Sequence, residues 1–223
     1  MAIEDSSLEV IGRLVDASNA SLLASLENGA QVIYKPIAGE RPLWDFPDGN
    51  LASREVAAYY ISELCGFHLV PKTVLRDGPF GLGAVQEWIE TGEEHDVTTF
   101  ALSTNNRIRE MALFDALINN ADRKFGHILR VSESEVYGCD HGVSFHSENK
   151  LRTVLWQFAE QALTDDEIIK ISAIEEKLDD NYLGELLTKS EIAALKARAN
   201  NLLKEAVFPL PNPNWPAVPW PPY

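Results

Sequence analysis

Four polar side chains, widely separated along the chain, are of the types that phosphoryl transfer requires. Lys35 ends an apolar run, Glu55 lies in a helical pattern, Asp122 follows a second helical pattern, and Asp140 precedes His141-Gly142. In phosphoryl transfer a strand lysine neutralises the α- and β-phosphates of a nucleotide, and a helix carboxylate holds its ammonium group in place. An aspartate orients the acceptor hydroxyl. The order of these residues therefore predicts a site that binds a nucleoside triphosphate.

The divalent ions that bridge the phosphates need ligands of their own. Asp140 stands where the general kinase pattern has its metal-binding aspartate. The second metal ligand of that pattern is an asparagine, but this chain has His127 at the matching place after Asp122. Because imidazole suits manganese, zinc or iron better than magnesium, His127 binds a softer metal, acts through a water, or leaves only one ion held. Lys124 is placed to contact the transferred phosphoryl group as charge builds on it.

Three other interpretations of this region stay open. A catalytically impaired nucleotide-binding module would hold ATP and transfer nothing, which the altered position of His127 allows. Transfer of AMP in place of phosphate would need the nucleotide turned around in the same cleft. A zinc site from His127, Asp140, His141 and His146 lacks the H-x-x-x-H or H-E-x-x-H spacing of zinc ligands.

The elements that must position these residues begin with a sheet-rich part. Short apolar runs between small polar turns predict antiparallel strands near 8–14, 21–26 and 31–35, and further strands at 70–75 and 83–89. A helix from Arg54 to Leu64, capped by Ser53, is predicted between the two groups of strands. Lys35 and Glu55 would thus be supplied by a strand and by the helix beside it.

From Thr91 onward the pattern predicts mainly helices. The segment from Asn105 to Ile118 is apolar around most of its circumference, which indicates a buried helix directly before Asp122. Capping boxes predict helices near 165–179 and 189–205. The predicted fold class is α+β, with a small antiparallel sheet followed by a mainly helical part.

Composition limits the partners of such a site. The 223 residues include 19 basic and 34 acidic ones, and a net charge of −15 repels nucleic-acid phosphates and anionic lipid surfaces. The chain has no apolar run of about 18 residues that could span a membrane. Its first residues are acidic where a signal peptide has a basic start, and its two cysteines cannot form a disulfide scaffold. We expect a cytoplasmic monomer that neither binds nucleic acid nor inserts into membranes.

Several short segments around the polar residues carry a resemblance to a known family. They are Tyr34-Lys35-Pro36, Gly39-Glu40-Arg41-Pro42-Leu43-Trp44-Asp45-Phe46-Pro47, Asn119-Asn120-Ala121-Asp122-Arg123-Lys124, Asp140-His141-Gly142 and the terminal Pro219-Trp220-Pro221-Pro222. From about Glu9 to Tyr223 the chain resembles the bacterial, mostly actinobacterial, phosphatidylinositol 3/4-kinase-like proteins. The resemblance implies a two-lobed kinase-like fold with ATP in the cleft between the lobes.

The resemblance also implies a role for each of the four polar residues. Lys35 would bind the α- and β-phosphates, with Glu55 as its ion-pair partner. Asp122 would be the catalytic aspartate, and Asp140 would be the principal metal ligand.

The resemblance also implies that two backbone segments complete the nucleotide site. The turn 16–20 would cover the phosphates, with Ser18 and Asn19 as contacts, because the chain has no G-x-G-x-x-G loop. The connector Gln86-Glu87-Trp88-Ile89 would hydrogen-bond adenine through its backbone, which makes Glu87 and Trp88 nucleotide-binding candidates.

The chain is expected to divide at two places. Residues 1–90 would form an N-lobe with the phosphate clamp, residues 91–207 a C-lobe with the catalytic and metal loops, and residues 208–223 a Pro/Trp-rich strap. The last segment holds 7 of the 12 prolines and is predicted to be extended. The predicted function is ATP-dependent phosphotransfer with Mg²⁺ or Mn²⁺. The acceptor is expected to be a protein or a soluble small molecule, because the negative charge of the chain repels the anionic headgroups of a membrane.

Overall fold

The N-terminal part of the protein is an antiparallel sheet. The computed structural model describes residues 3–14, 19–92 and 96–223. The strands are β1 (Leu8–Arg13), β2 (Leu22–Leu26), β3 (Gln31–Pro36), β4 (Thr73–Gly78) and β5 (Gly81–Glu87), in the spatial order β1-β2-β3-β5-β4. Lys35 lies on β3 opposite Ala84 of β5. It is therefore carried by an inner strand of the sheet, which has β2 on one side and β5 on the other.

The turn between β4 and β5 is shorter than the sequence predicts, because β4 ends later and β5 begins earlier than expected. The expected strands were 70–75 and 83–89, with the turn at 76–79. In the structure β4 continues to Gly78, which pairs with Gly81, so that Pro79 and Phe80 alone form the turn. Gly81 has a φ of +88°, a left-handed conformation that favours glycine. The predicted bounds of these strands are wrong because the turn residues Asp77 and Gly78 are still paired.

The helix between the two groups of strands begins earlier than predicted. Helix α1 spans Leu51–Leu64, and Asn50 caps it by accepting a hydrogen bond of 2.7 Å from the Ser53 amide. Ser53 was predicted as the cap, but it lies in the first turn of the helix. The carboxylate of Glu40 accepts hydrogen bonds from the Leu51 and Ala52 amides, at 2.9 and 2.8 Å. Two side chains from outside the helix thus satisfy its first amides.

The rest of the chain is mainly helical, which confirms the predicted α+β class. Its elements are α2 (Val97–Ala101), α3 (Asn106–Ile118), β6 (Ile128–Arg130), β7 (Val136–Gly138), α4 (Asp165–Lys177), α5 (Asp180–Gly184) and α6 (Lys189–Glu205). Helix α3 is buried as predicted, and both capping boxes are present at the starts of α4 and α6. None of the helices in the described ranges is long and apolar enough to cross a membrane.

Helix α1 is joined to the helical part by packing and by a buried ion pair. Its apolar residues belong to the same core cluster as those of α3, α4 and α6. The Arg54 guanidinium contacts the Glu191 carboxylate at 2.8 Å, and both side chains are almost completely buried. Because a buried charge is costly without its partner, this pair holds α1 at a defined position against α6.

The segment after α6, predicted to be extended, is irregular, with a turn closed by a hydrogen bond of 3.2 Å from the Trp215 amide to the Asn212 carbonyl oxygen, and it packs against the helical part. The carbonyl oxygen of Ala217 accepts hydrogen bonds from the Thr153 amide (3.1 Å) and from Trp156 Nε1 (2.8 Å). Further along, the carbonyl oxygen of Pro222 accepts one from the Phe125 amide at 2.9 Å. The segment therefore contacts two loops that also contribute to the site described next.

Candidate active site

Lys35 is the centre of a cluster that joins three distant segments. Its Nζ forms an ion pair with Glu55 Oε1 on α1 and lies 3.0 Å from Asp140 Oδ1, which follows β7. The second oxygen of Glu55 accepts a hydrogen bond of 3.0 Å from the His141 amide. Burial by itself lowers the pKa of Lys35, but the carboxylates of Asp140 and Glu55 outweigh it and raise that pKa. The lysine is therefore a fixed positive charge.

Asp140 presents a charged carboxylate to solvent. Its side chain is 51% exposed, and its φ of +61° turns the chain sharply after β7. An aspartate tolerates this left-handed conformation better than most residues. The nearby charge of Lys35 holds the pKa of Asp140 well below its usual range. An ionised carboxylate oxygen is a good ligand for a divalent metal ion.

His127 is held so that one ring nitrogen faces Asp140. Its Nδ1 lies 2.9 Å from the carbonyl oxygen of Asp122. Since a carbonyl oxygen only accepts, Nδ1 carries the hydrogen, and Nε2 is left with a lone pair. Burial lowers the pKa of His127, which favours this neutral form. Nε2 lies 3.4 Å from Asp140 Oδ2, a separation that one metal ion with ligands at about 2.1 Å can bridge.

Asp122 and Lys124 lie in the loop that follows α3. The side chain of Asn120 accepts a hydrogen bond of 3.0 Å from the Asp122 amide and so shapes the loop. Lys124 Nζ lies 3.2 Å from Asp122 Oδ2. Asp122 lines a cleft of about 250 Å³. The other residues that define this cleft are Asn19, Ala20, Ser21, Lys35, Pro36, Glu40, Arg41, Leu43, Asp45, Phe46, Leu51, Ala52, Glu55, Asp140, Gly142, Val143 and Arg152. The four polar residues singled out in the sequence thus face one cavity.

The sequence reasoning missed a buried network behind this cleft. The Arg123 guanidinium is fully buried and binds the carboxylate of Asp115 on α3 at 2.9 Å. It also donates to the carbonyl oxygens of His127 (3.2 Å) and Cys139 (3.1 Å) and to His141 Nε2 (2.7 Å). Arg123 therefore ties the loop of Asp122 to the segment that carries Asp140. The signal in the sequence was the single acidic residue within the apolar stretch 111–118 of α3, because a buried carboxylate requires a partner.

The structure contradicts the zinc interpretation. His141 Nε2 accepts a hydrogen bond from Arg123 and is not available to a metal. His146 Nδ1 accepts the amide of Glu148, and its ring packs edge-on against Phe46. Within residues 3–14, 19–92 and 96–223, no three His, Cys, Asp or Glu side chains are close enough together to hold a metal ion. A metal at His127 and Asp140 would therefore need further ligands from a nucleotide or water.

Two segments were expected to bind the rest of the nucleotide, the turn 16–20 and the connector 86–89. A residue of the turn lines the cleft, whereas Glu87 and Trp88 of the connector do not. Asn19 lines the cleft, and its side-chain oxygen accepts the Arg41 amide at 2.9 Å. Ser18 lies outside the described residues. Glu87 and Trp88 do not line the cleft, and their amides donate to the carbonyl oxygens of Lys72 (2.9 Å) and Gln31 (3.2 Å). The amides of Glu87 and Trp88 are therefore paired within the protein, and adenine binding by the connector stays a prediction.

Comparison with solved structures identifies the fold. No protein-family model matches the chain. The Golgi casein kinase solved with Mn/ADP bound is similar over 91% of this chain and 73% of its own, with a TM-score of 0.60 and 14% identity. The proinflammatory kinase CtkA of Helicobacter pylori is similar over 93% and 95% of the two chains, with a TM-score of 0.54 and 12% identity. The fold is therefore kinase-like.

A relative in sequence comes from Mycobacterium tuberculosis. Protein Rv2133c of strain ATCC 25618 / H37Rv is 38% identical over 260 aligned positions, which cover 98% of this chain and 93% of the relative. The phosphatidylinositol 3/4-kinase-like resemblance stays a prediction at the level of that named group. With this identity over nearly the full length of both proteins, the chain belongs to the same family as Rv2133c, and its fold is that of kinases.

Proposed function

We propose that this protein is an ATP-dependent phosphotransferase of the phosphatidylinositol 3/4-kinase-like type, with a protein or a soluble small molecule as the acceptor. The observation that carries the proposal is the convergence of Lys35, Glu55 and Asp140 beside Asp122 in one cleft. The kinase-like fold supports it, and one structural neighbour was solved with Mn/ADP bound.

Each side chain has a chemical role in this proposal. Lys35 binds the α- and β-phosphates, and Glu55 fixes its ammonium group. Asp122 orients the acceptor hydroxyl and receives its proton as the oxygen bonds to the γ-phosphorus. The bond from that phosphorus to the bridging oxygen breaks, and ADP leaves. Lys124 neutralises the charge that builds on the transferred group.

The residues present fit a divalent metal ion. Asp140 offers an ionised oxygen and His127 a nitrogen lone pair, and these two atoms lie 3.4 Å apart. The other oxygen of Asp140 lies 3.0 Å from Lys35 Nζ. A bound divalent ion would supply charge neutralisation on the phosphate oxygens. We propose that Asp140 and His127 are its two protein ligands.

Labelled ATP separates this function from its alternatives. The protein is incubated with γ-labelled or α-labelled ATP, under Mg²⁺ or Mn²⁺, with itself and a panel of hydroxyl compounds as acceptors. Label transferred from the γ-position supports the proposal. Label transferred from the α-position would indicate AMP transfer. A thermal shift with ATP and no labelled product under either metal would indicate a nucleotide-binding module without transfer.

Replacing Lys35 with methionine should weaken ATP binding. The variant loses the only cation between Glu55 and Asp140 in the described structure, so the two carboxylates would then repel the triphosphate. We expect the Kd for ATP, measured by calorimetry, to rise at least about tenfold, equivalent to about 1.4 kcal/mol. Lys72→Met, which removes a surface lysine paired with Glu4, is the matched control. Equal affinity of K35M and the native protein would contradict the clamp.

Replacing His127 with asparagine should change the metal preference. An asparagine oxygen suits Mg²⁺, whereas imidazole suits Mn²⁺. We expect the ratio of ADP affinities in Mn²⁺ and Mg²⁺ to shift toward Mg²⁺ by roughly tenfold in H127N. Pulsed electron paramagnetic resonance of the Mn²⁺·ADP complex should show ¹⁴N coupling in the native protein and in the control His146→Asn, and none in H127N. Coupling that persists in H127N would remove His127 from the metal site.

A further inference from the structure

Each acidic group that lines the cleft has a partner of its own or shares one. Five carboxylates line the cleft, and each has a cation or a helix end beside it. The pairs are Glu40 with the first amides of α1, Asp45 with Lys150 at 3.9 Å, Asp122 with Lys124, and both Glu55 and Asp140 with Lys35. Three lysines and one helix end thus serve the five carboxylates, with Lys35 shared by two of them, and no arginine takes part in these pairs.

Two arginines of the cleft, Arg41 and Arg152, lie outside these pairs. Both line the cleft, and neither has a carboxylate oxygen within 4.0 Å among the residues that the structure describes. The Arg41 amide donates to Asn19, so this residue lies on the side of the turn expected to cover the phosphates. Arg152 lies on the side of Asp122. The two arginines are thus placed for two different anionic groups.

Arg152 is held in place by its own neighbours. Its amide donates to the Asn120 carbonyl oxygen at 3.0 Å, and its Nε donates to that of Ala121 at 2.6 Å. The guanidinium carbon lies 5.4 Å from the centre of the Trp215 ring. These contacts fix the planar group directly beside the peptide of Asp122. A guanidinium held in this way loses little entropy when it binds two oxygens of a carboxylate or a phosphate.

We infer that Arg152 binds an anionic group on the acceptor, so that the acceptor is a small hydroxyl compound that also carries a phosphate or a carboxylate. The inference rests on the proposed function and names its substrate class. The observation behind the inference is the location of Arg152 beside Asp122. An acceptor whose anionic group binds Arg152 would have its neighbouring hydroxyl near the carboxylate of Asp122. Because the cleft of about 250 Å³ also receives the triphosphate in the proposed function, the space left beside Arg152 favours a small acceptor.

A binding titration tests the inference without knowledge of the natural acceptor. The full chain is first titrated with Mn²⁺ and the non-hydrolysable analogue AMP-PNP, which fills the triphosphate part of the cleft. Inorganic phosphate, acetate or neutral glycerol is then added as the probe, and heat is measured by calorimetry. Failure of AMP-PNP to bind would overturn the proposed function itself, and the inference with it.

The variants decide the second step. We expect phosphate or acetate, but not glycerol, to bind the native complex, and the two anions distinguish a phosphate from a carboxylate site. In Arg152→Gln the Kd for that anion should rise at least about tenfold, while AMP-PNP affinity is unchanged and Arg152→Lys is intermediate. Lys189→Gln, which removes an exposed cation at the start of α6, should bind like the native protein. Equal anion affinity of R152Q and the native protein, or no anion binding to the native complex, would overturn the inference.

Discussion

Replacing Asp122 with asparagine is expected to abolish phosphoryl transfer and to spare ATP binding. The amide has nearly the same size as the carboxylate, but it cannot accept the proton of the attacking hydroxyl. Proton transfer by a positioned side chain contributes about 10²- to 10⁴-fold to a rate, and we expect a loss in that range. Turnover of γ-labelled ATP measures the loss, and calorimetry should give a Kd for ATP within about twofold of the native value.

A second variant controls for the ion pair that is lost in D122N. Asp180→Asn removes a surface Asp–Lys pair, in which Asp180 lies 2.6 Å from Lys196, far along the chain from the cleft. Its turnover should equal that of the native protein. Native turnover in D122N would contradict the assignment of Asp122 as the residue that receives the proton.

Replacing Arg123 with methionine is expected to destabilise the whole fold. The variant would leave the Asp115 carboxylate fully buried without its cation, and it would also remove the donor to His141 Nε2. Breaking a buried pair by removing one partner costs about 3–5 kcal/mol, a large part of the stability of a typical domain. The free energy of unfolding from urea titrations measures the change.

The control for this variant is a surface arginine. Arg13→Met removes an exposed guanidinium at the end of β1 and should change the free energy of unfolding by less than about 0.5 kcal/mol. Asp115→Asn together with R123M should recover part of the lost stability, because no unpaired charge then remains buried. If R123M unfolded with the same urea midpoint as the native protein, the network around Arg123 would not contribute to stability.

The main parts of the site could be predicted because they depend on order along the chain. A lysine at the end of a strand and an aspartate after a buried helix are visible in the sequence, and hydrophobic periodicity locates the strand and the helix. Once β3 and α3 are in place, Lys35 and Asp122 must lie at the ends of these elements. The sequence therefore located these two residues without any knowledge of the distance between them.

The remaining features depend on contacts across the fold. Glu40 satisfies the first amides of α1, so the helix begins before the serine that local pattern favoured. The lone pair of His127 faces Asp140 only because the ring also bonds to the carbonyl oxygen of Asp122. The amides of the connector are taken by neighbouring backbone, which depends on the pairing of β5. Local propensity contains no information about such partners.

The ion pair between Arg54 and Glu191 limits how a molecule of this design could be switched off. Many two-state devices work by swinging a single helix away from the rest of the protein. Here an outward movement of α1 would separate Arg54 from Glu191 and would also open the apolar core that α1 shares with α3, α4 and α6. Because Glu55 lies on α1, the packing that holds this helix also sets the position of its carboxylate beside Lys35.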